Sequence, residues 1–209
     1  MLFIFALPFS ITAQSISAPW VGTSLKGEPC EGGQGLGPFD YLKREQFLPQ
    51  LNIVEEHHFT PNVQNLISGQ EGTIPGDLDF ALRPWPNHHR VLASLIRYAL
   101  EKRDRPLKAP AECYLQRAIN FSPKDATAQM LFGIYLHRLG YKQEALKHYQ
   151  DAEKISPENP ELHYNLGLLL VSIKKYNEAK QHAIKAYQGG YPLPGLKNQL
   201  ARVGYWQDK

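Results

Sequence analysis

Residues 131–157, LFGIYLHRLGYKQEALKHYQDAEKISP, and residues 164–192, YNLGLLLVSIKKYNEAKQHAIKAYQGGYP, pass twice over one pattern. Gly133 and Gly167 are 34 residues apart, and the pairs Ala145/Ala179 and Ala152/Ala186 keep that interval. Small residues recurring at fixed offsets over such a period indicate stacked helix–turn–helix units. In each unit the first helix carries a glycine preceded by an apolar residue, Phe132 or Leu166. With no Cβ at that point, a neighbouring helix can approach closely. Ala145, Tyr149 and Ala152 fall at i, i+4 and i+7, one face of a second helix. Pro157 then stops that helix, because proline lacks the N–H a continuing helix needs.

With the units set at 126–159 and 160–193, the chain resembles the tetratricopeptide repeat family. The resemblance rests on Gly133, Ala145, Tyr149, Ala152 and Pro157, and on Gly167, Ala179 and Ala186 in the second copy. The second copy departs from the family in two ways. Its proline, Pro192, comes one place late, and Ala183 stands where a large residue is usual. Looser packing is expected there. A degenerate third copy precedes them at 92–125, with Ala111 and Ala118 at the small positions, Pro123 at the stop and Ala99 in place of the glycine. Its turn, RDRPLKAP, is proline-rich. After Pro192 and Pro194, residues 194–206 read as an amphipathic capping helix, with Leu196, Leu200 and Val203 covering the last repeat. The fold class is therefore all-α: a short helix–turn–helix solenoid over 88–209 with a C-terminal cap and an irregular extension before it.

The resemblance also implies a use. In this family the first helices line a concave groove that binds peptides or protein segments. Carried over by repeat position, the groove residues are Met130, Ile134 and His137, then Tyr164, Leu168 and Val171, with Ile96 and Leu100 as counterparts in the degenerate copy. Members that grip a C-terminal carboxylate use Lys and Asn at these places. Here the residues are mostly apolar or aromatic, so no such clamp is expected. An apolar groove needs cover, from a partner or from this chain's own extension.

Composition narrows the remaining classes. A chain of 209 residues with 43% hydrophobic content has enough apolar material for a core. A net charge of +3, with basic residues alternating with acids and no basic cluster interleaved with aromatics, is not a nucleic-acid footprint. The opening MLFIFALPFSITAQS has an apolar stretch from Leu2 to Phe9, too short to span a bilayer, followed by small residues suited to cleavage near Ala13 or Ser15. Residues 1–15 are read as a signal peptide, although no Lys or Arg occurs before Lys26. The alternative is a buried first strand or helix. Cys30 and Cys113 are the two cysteines, and in an oxidising compartment an even number argues for a bridge. In a reducing compartment they would be two buried thiols.

Residues 16–87 read as an extension packed on the first repeat. Its glycine-rich CEGGQGLGPFDY lacks the strand, helix and Lys–Ser/Thr pair of a phosphate loop. Thr60 and Pro61 start a helix that Gly69 ends, whereas GTIPGDLDFALRPWP is loop-like, with Leu78, Phe80 and Leu82 alternating towards an apolar surface. Asn87 is the expected cap of the next helix, with His88 and His89 reaching towards GDLDF. The histidine pairs His57–His58 and His88–His89 are the weak metal candidates, with Glu55, Asp77 and Asp79 as possible carboxylate co-ligands. Adjacent histidines point in different directions, so one pair rarely gives two ligands to one ion.

Together these readings describe a non-catalytic binding or scaffold module for a protein or peptide partner, periplasmic or secreted. No cofactor, nucleic acid or stable membrane insertion after signal removal is expected. The competing class is a metal-binding protein or enzyme with a His/carboxylate site in the extension.

Overall fold

The computed structural model describes residues 17–101 and 103–207; the signal peptide expected at 1–15 lies outside them. A 3-10 helix, Tyr41–Gln46, is followed by α1 (Leu48–His58), α2 (Pro61–Gln64), α3 (Ile74–Leu82), α4 (His89–Leu100), α5 (Ala111–Phe121), α6 (Ala126–Leu139), α7 (Lys142–Ile155), α8 (Pro160–Ser172), α9 (Tyr176–Gln188) and α10 (Gly195–Arg202). Among the described residues, strand-type pairing is limited to an isolated antiparallel bridge between Thr23 and Pro29. The protein is an all-α solenoid. No helix among those residues is long and apolar enough to cross a membrane.

The two regular hairpins, α6–α7 and α8–α9, follow directly from local sequence. Asp125 accepts from the N–H groups of Thr127 and Ala128, and Asn159 accepts from that of Leu162, so both first helices begin on a side-chain cap. Gly140 ends α6 at φ 92°, where glycine carries no Cβ penalty. The residue 34 positions on is Lys174, held at φ 63° in the same turn. Ala145, Tyr149 and Ala152 are buried along α7, and Ala179, Ala183 and Ala186 along α9.

The conserved spacing of the two glycines hides different partners. A Cβ on Gly133 would sit 2.9 Å from the ring of Tyr149 in the second helix of its own hairpin. On Gly167 it would meet Leu196 of α10 at 2.4 Å. Leu196 is fully buried and so occupies the place that the small Ala183 leaves. The expected looseness of the second copy is absent, because the capping helix supplies the missing bulk. Gly133→Leu is expected to push α6 and α7 apart and to destabilise by about 3 kcal/mol, read as a fall in the denaturant midpoint. A midpoint within error of wild type would mean that these helices do not meet at Gly133.

The degenerate copy is more open. Where α6 and α7 are joined by Gly140 and Tyr141, α4 and α5 are separated by a ten-residue, proline-containing connection. Tyr98 donates to the Arg105 carbonyl and Arg103 to that of Leu66, which pins the loop. In consequence α4 packs less on α5 than on α3 and α6. That makes α3 important, and its helical state corrects the loop expected over residues 72–86. Thr73 accepts from the Gly76 N–H, and Pro75 fits the first turn. The inward residues are Ile74, Leu78, Ala81 and Leu82, at helical spacing, while Phe80 is exposed. Read as alternation, Leu78–Phe80–Leu82 looked extended; the period was 3.6, not 2. The helix at Pro61 ends at Gln64 rather than running to Gly69.

Residues 17–40 are irregular and are bolted to α5. Arg117 is 1% exposed and donates to the carbonyls of Ala18 (2.8 Å), Leu82 (2.7 Å) and Arg83 (3.1 Å), and to the Gln34 side chain (2.8 Å). Its guanidinium also lies over the Trp20 ring. Burial lowers its pKa to about 10, still well above neutrality. Glu112 accepts from the Leu25 N–H, and Gln116 donates to the Thr23 carbonyl. The bridge between Cys30 and Cys113 joins the same two segments, with the Cα atoms 5.4 Å apart.

Candidate functional site

The first helices α4, α6 and α8 present two repeat-related rows. Ile96, Met130 and Tyr164 form one, and they are 3%, 2% and 8% exposed. These three are core residues rather than groove surface, which corrects the expectation for them. Met130 belongs to the continuous apolar core. Tyr164 packs at a tilt against Tyr191, with ring centroids 4.3 Å apart, and its hydroxyl lies against Gly195 at the start of α10. Over Tyr164 the cover therefore comes from Tyr191 and the start of the C-terminal cap. Leu100, Ile134 and Leu168 form the second row, with His137 and Val171 beside it, and all five are half-buried.

The four histidines singled out in the extension do not converge. His57 faces Glu71 at 3.5 Å, and His58 meets Asp77 at 2.9 Å. His88 contacts Glu55 at 3.0 Å, and His89 contacts Asp125 at 2.8 Å. Each ring has its own carboxylate, so these residues serve as separate struts. His88, not Asn87, caps α4: its Nδ1 accepts from the Val91 N–H, which leaves Nε2–H to donate to Glu55. Asn87 is turned into a buried hub instead. Its Oδ1 accepts from the Tyr41 N–H, and its Nδ2 donates to Asp40 and Asp125. Because Asp125 also caps α6, this hub ties the extension to the starts of two first helices.

Several buried histidines, with the carboxylates Glu55 and Asp125, give the protein an acid-sensitive stability. Burial lowers the pKa of His88, and does the same for His137, His148 and His182. The hydrogen bond from His88 is the main cause that holds Glu55 low. Burial works against ionisation of Asp125, but hydrogen bonds led by His89 outweigh it and leave its pKa lowered. Below about pH 6.5 the unfolded histidines take up protons that the folded ones refuse, so the unfolded state gains. Below about pH 4 the carboxylate contributions are lost in turn. Urea midpoints are therefore expected to be flat from pH 8 to 7 and to fall steadily below that. His88→Asn, which keeps a capping side chain, should flatten part of the first fall; an unchanged slope would remove His88 from this account.

The extension also holds an apolar cleft of about 380 Å³ whose lining includes Leu36, Phe39, Ile53, Phe80 and Pro84. Leu36, Ile53 and Phe80 are 80%, 61% and 44% exposed. Sequence reasoning missed this cleft, because its walls come from three segments that are distant in sequence. It also missed a grouping of Glu153, His163 and His182 between the two regular repeats. A sequence signal for the latter existed: His163 and His182 stand 34 residues after Gln129 and His148, which hydrogen-bond at 2.8 Å.

A stack of paired helices with small residues at the contacts, capped by a shorter helix, defines a helical-repeat protein. Residues 142–173 match the TPR repeat family. Such repeats generally mediate protein–protein interaction. Among solved structures it is similar to pilF of Pseudomonas aeruginosa, with a TM-score of 0.54 over 77% of this chain and 68% of that one. The identity is 19%, so the likeness concerns the fold. None of the curated proteins compared with the chain matches it in sequence.

Proposed function

We propose that this chain is a non-catalytic interaction module of the cell envelope, or of the secreted space, that holds a segment of a partner protein along its first helices. The observation that carries this reading is the row Leu100, Ile134 and Leu168. These three residues occupy the same position in three successive units and stay half-exposed, whereas the row beside them is buried. A partner's apolar side chains spaced along a helix or extended segment suit such a row. The extension's polar clamp reaches α5, α3 and the starts of α4 and α6, and Ile134 and Leu168 lie further along their helices. The buried Cys30–Cys113 bridge supports an oxidising compartment, in line with the leader expected at 1–15.

Photo-cross-linking in the native cell tests this reading. A photoreactive residue at Ile134 or Leu168 should give a discrete adduct that is absent when the probe is at the exposed Lys147 on α7. An Ile134→Ser/Leu168→Ser pair should lower partner affinity tenfold or more, about 1.4 kcal/mol, with the helical content unchanged. Adducts at Ile53 and none at Ile134 or Leu168 would move the interface to the extension's cleft and overturn the groove assignment.

A further inference from the structure

We propose that Glu153, His163 and His182 form a binding site for a borderline divalent cation, best suited to Zn²⁺, which joins the two regular repeats. Glu153 lies on α7, His163 on α8 and His182 on α9, so a single ion would be held by three helices. His163 is 1% exposed, and its Nε2 lies 2.7 Å from the Pro157 carbonyl oxygen. Nε2 must therefore carry the proton and donate it, which leaves Nδ1 with a free lone pair. That is the arrangement of a metal-bound imidazole, whose other N–H is held by a carbonyl. The Nδ1 lone pair points at Nδ1 of His182, 3.1 Å away. Glu153 Oε1 is 3.8 Å from the first nitrogen and 3.9 Å from the second.

These separations fit one ion. Zinc bonds of about 2.0–2.1 Å in a tetrahedron place neighbouring ligand atoms ~3.3 Å apart, and the three edges here bracket that value. Two imidazoles and a carboxylate are a set that borderline ions prefer over Mg²⁺ or Ca²⁺, which favour all-oxygen shells. With three protein ligands, the fourth position would belong to water. His182 and Glu153 are partly exposed and open a route for entry. Lys185, 3.8 Å from Glu153 Oε1, competes for the carboxylate, but its side chain is half-exposed and free to swing away.

The preceding unit contains its own control. Ile119, Gln129 and His148 occupy the positions 34 residues earlier, and there only Gln129 and His148 meet. The set of three ligands is thus peculiar to the junction between the second-last and last units, and is no by-product of the repeat.

The test is calorimetric titration of untagged, full-length protein with ZnCl₂ in a non-chelating buffer, with MgCl₂ in parallel and thermal melts of each sample. Wild type should bind one Zn²⁺ per chain, bind no Mg²⁺ and melt several degrees higher with Zn²⁺. His182→Ala and the near-isosteric Glu153→Gln should each weaken binding tenfold or more and abolish the shift in melting, while His148→Ala leaves both intact. Lys185→Met should tighten binding. Should His182→Ala disturb the fold, Glu153→Gln alone decides. Absence of Zn²⁺ binding by wild type, or equal binding by wild type and Glu153→Gln, would overturn the site and leave a hydrogen-bonded histidine pair.

Discussion

Replacing Cys30 and Cys113 by serine is expected to lower the unfolding free energy by about 4–5 kcal/mol. The cysteines are 83 residues apart in sequence, and closing a loop of that size removes roughly this much conformational freedom from the unfolded chain. The bridge is buried, Cys30 being 6% and Cys113 0% exposed, so the serine hydroxyls add a smaller desolvation cost. Urea unfolding of oxidised wild type against the double serine variant measures the difference. A loss below 1 kcal/mol would indicate an unfolded state already restrained in this region. Non-reducing mass spectrometry of protein from its native compartment should recover the two cysteine peptides as one linked species. Freely alkylated thiols there would remove the bridge and the main support for export together.

Arg117→Met is the second large effect. The buried guanidinium satisfies three backbone carbonyls and the Gln34 side chain. Methionine matches the stem but supplies no donor, leaving up to three backbone carbonyls unpaired at about 1–3 kcal/mol each, while the exposed Gln34 can turn to water. Some will find water as residues 17–40 loosen, so a net loss of about 3–5 kcal/mol is expected, in the range of broken buried polar networks. Limited proteolysis gives an independent reading. Cleavage should appear first between Ala18 and Gln34 in this variant, and the fragment carrying α6 to α10 should persist. Equal rates of cleavage across the chain would mean that Arg117 supports the whole solenoid and not the extension alone.

Both predictions concern contacts that join α5 to segments 34 to 99 residues away, and the partners of Arg117 could not be read along the chain. The two regular hairpins could be. Gly133, Ala145, Tyr149 and Ala152 repeat in phase because an α-helix puts i, i+4 and i+7 on one face, and close helix packing demands small residues there. The caps at Asp125, Asn159 and Gly140 are local features too, since a helix end is satisfied within a few residues of itself. The even cysteine count raised a bridge between Cys30 and Cys113, and the structure makes it.

Tertiary structure decided the rest wherever two readings shared one local pattern. Leu78–Phe80–Leu82 suits a strand face or part of a helix, and only the packing of α3 on α4 selects the helix. Repeat position put Ile96, Met130 and Tyr164 on the groove side; Tyr191 and the start of the cap at Gly195 cover Tyr164, and the core takes the other two. Gly167 had the same sequence context as Gly133, yet its partner is Leu196, from a helix outside the repeat. Charged and polar groups were the least legible. His57, His58, His88 and His89 are neighbours in sequence and part in space, while Glu153, His163 and His182 are apart in sequence and meet. A side chain's partner depends on where whole helices come to rest, and periodicity along one helix carries no record of that.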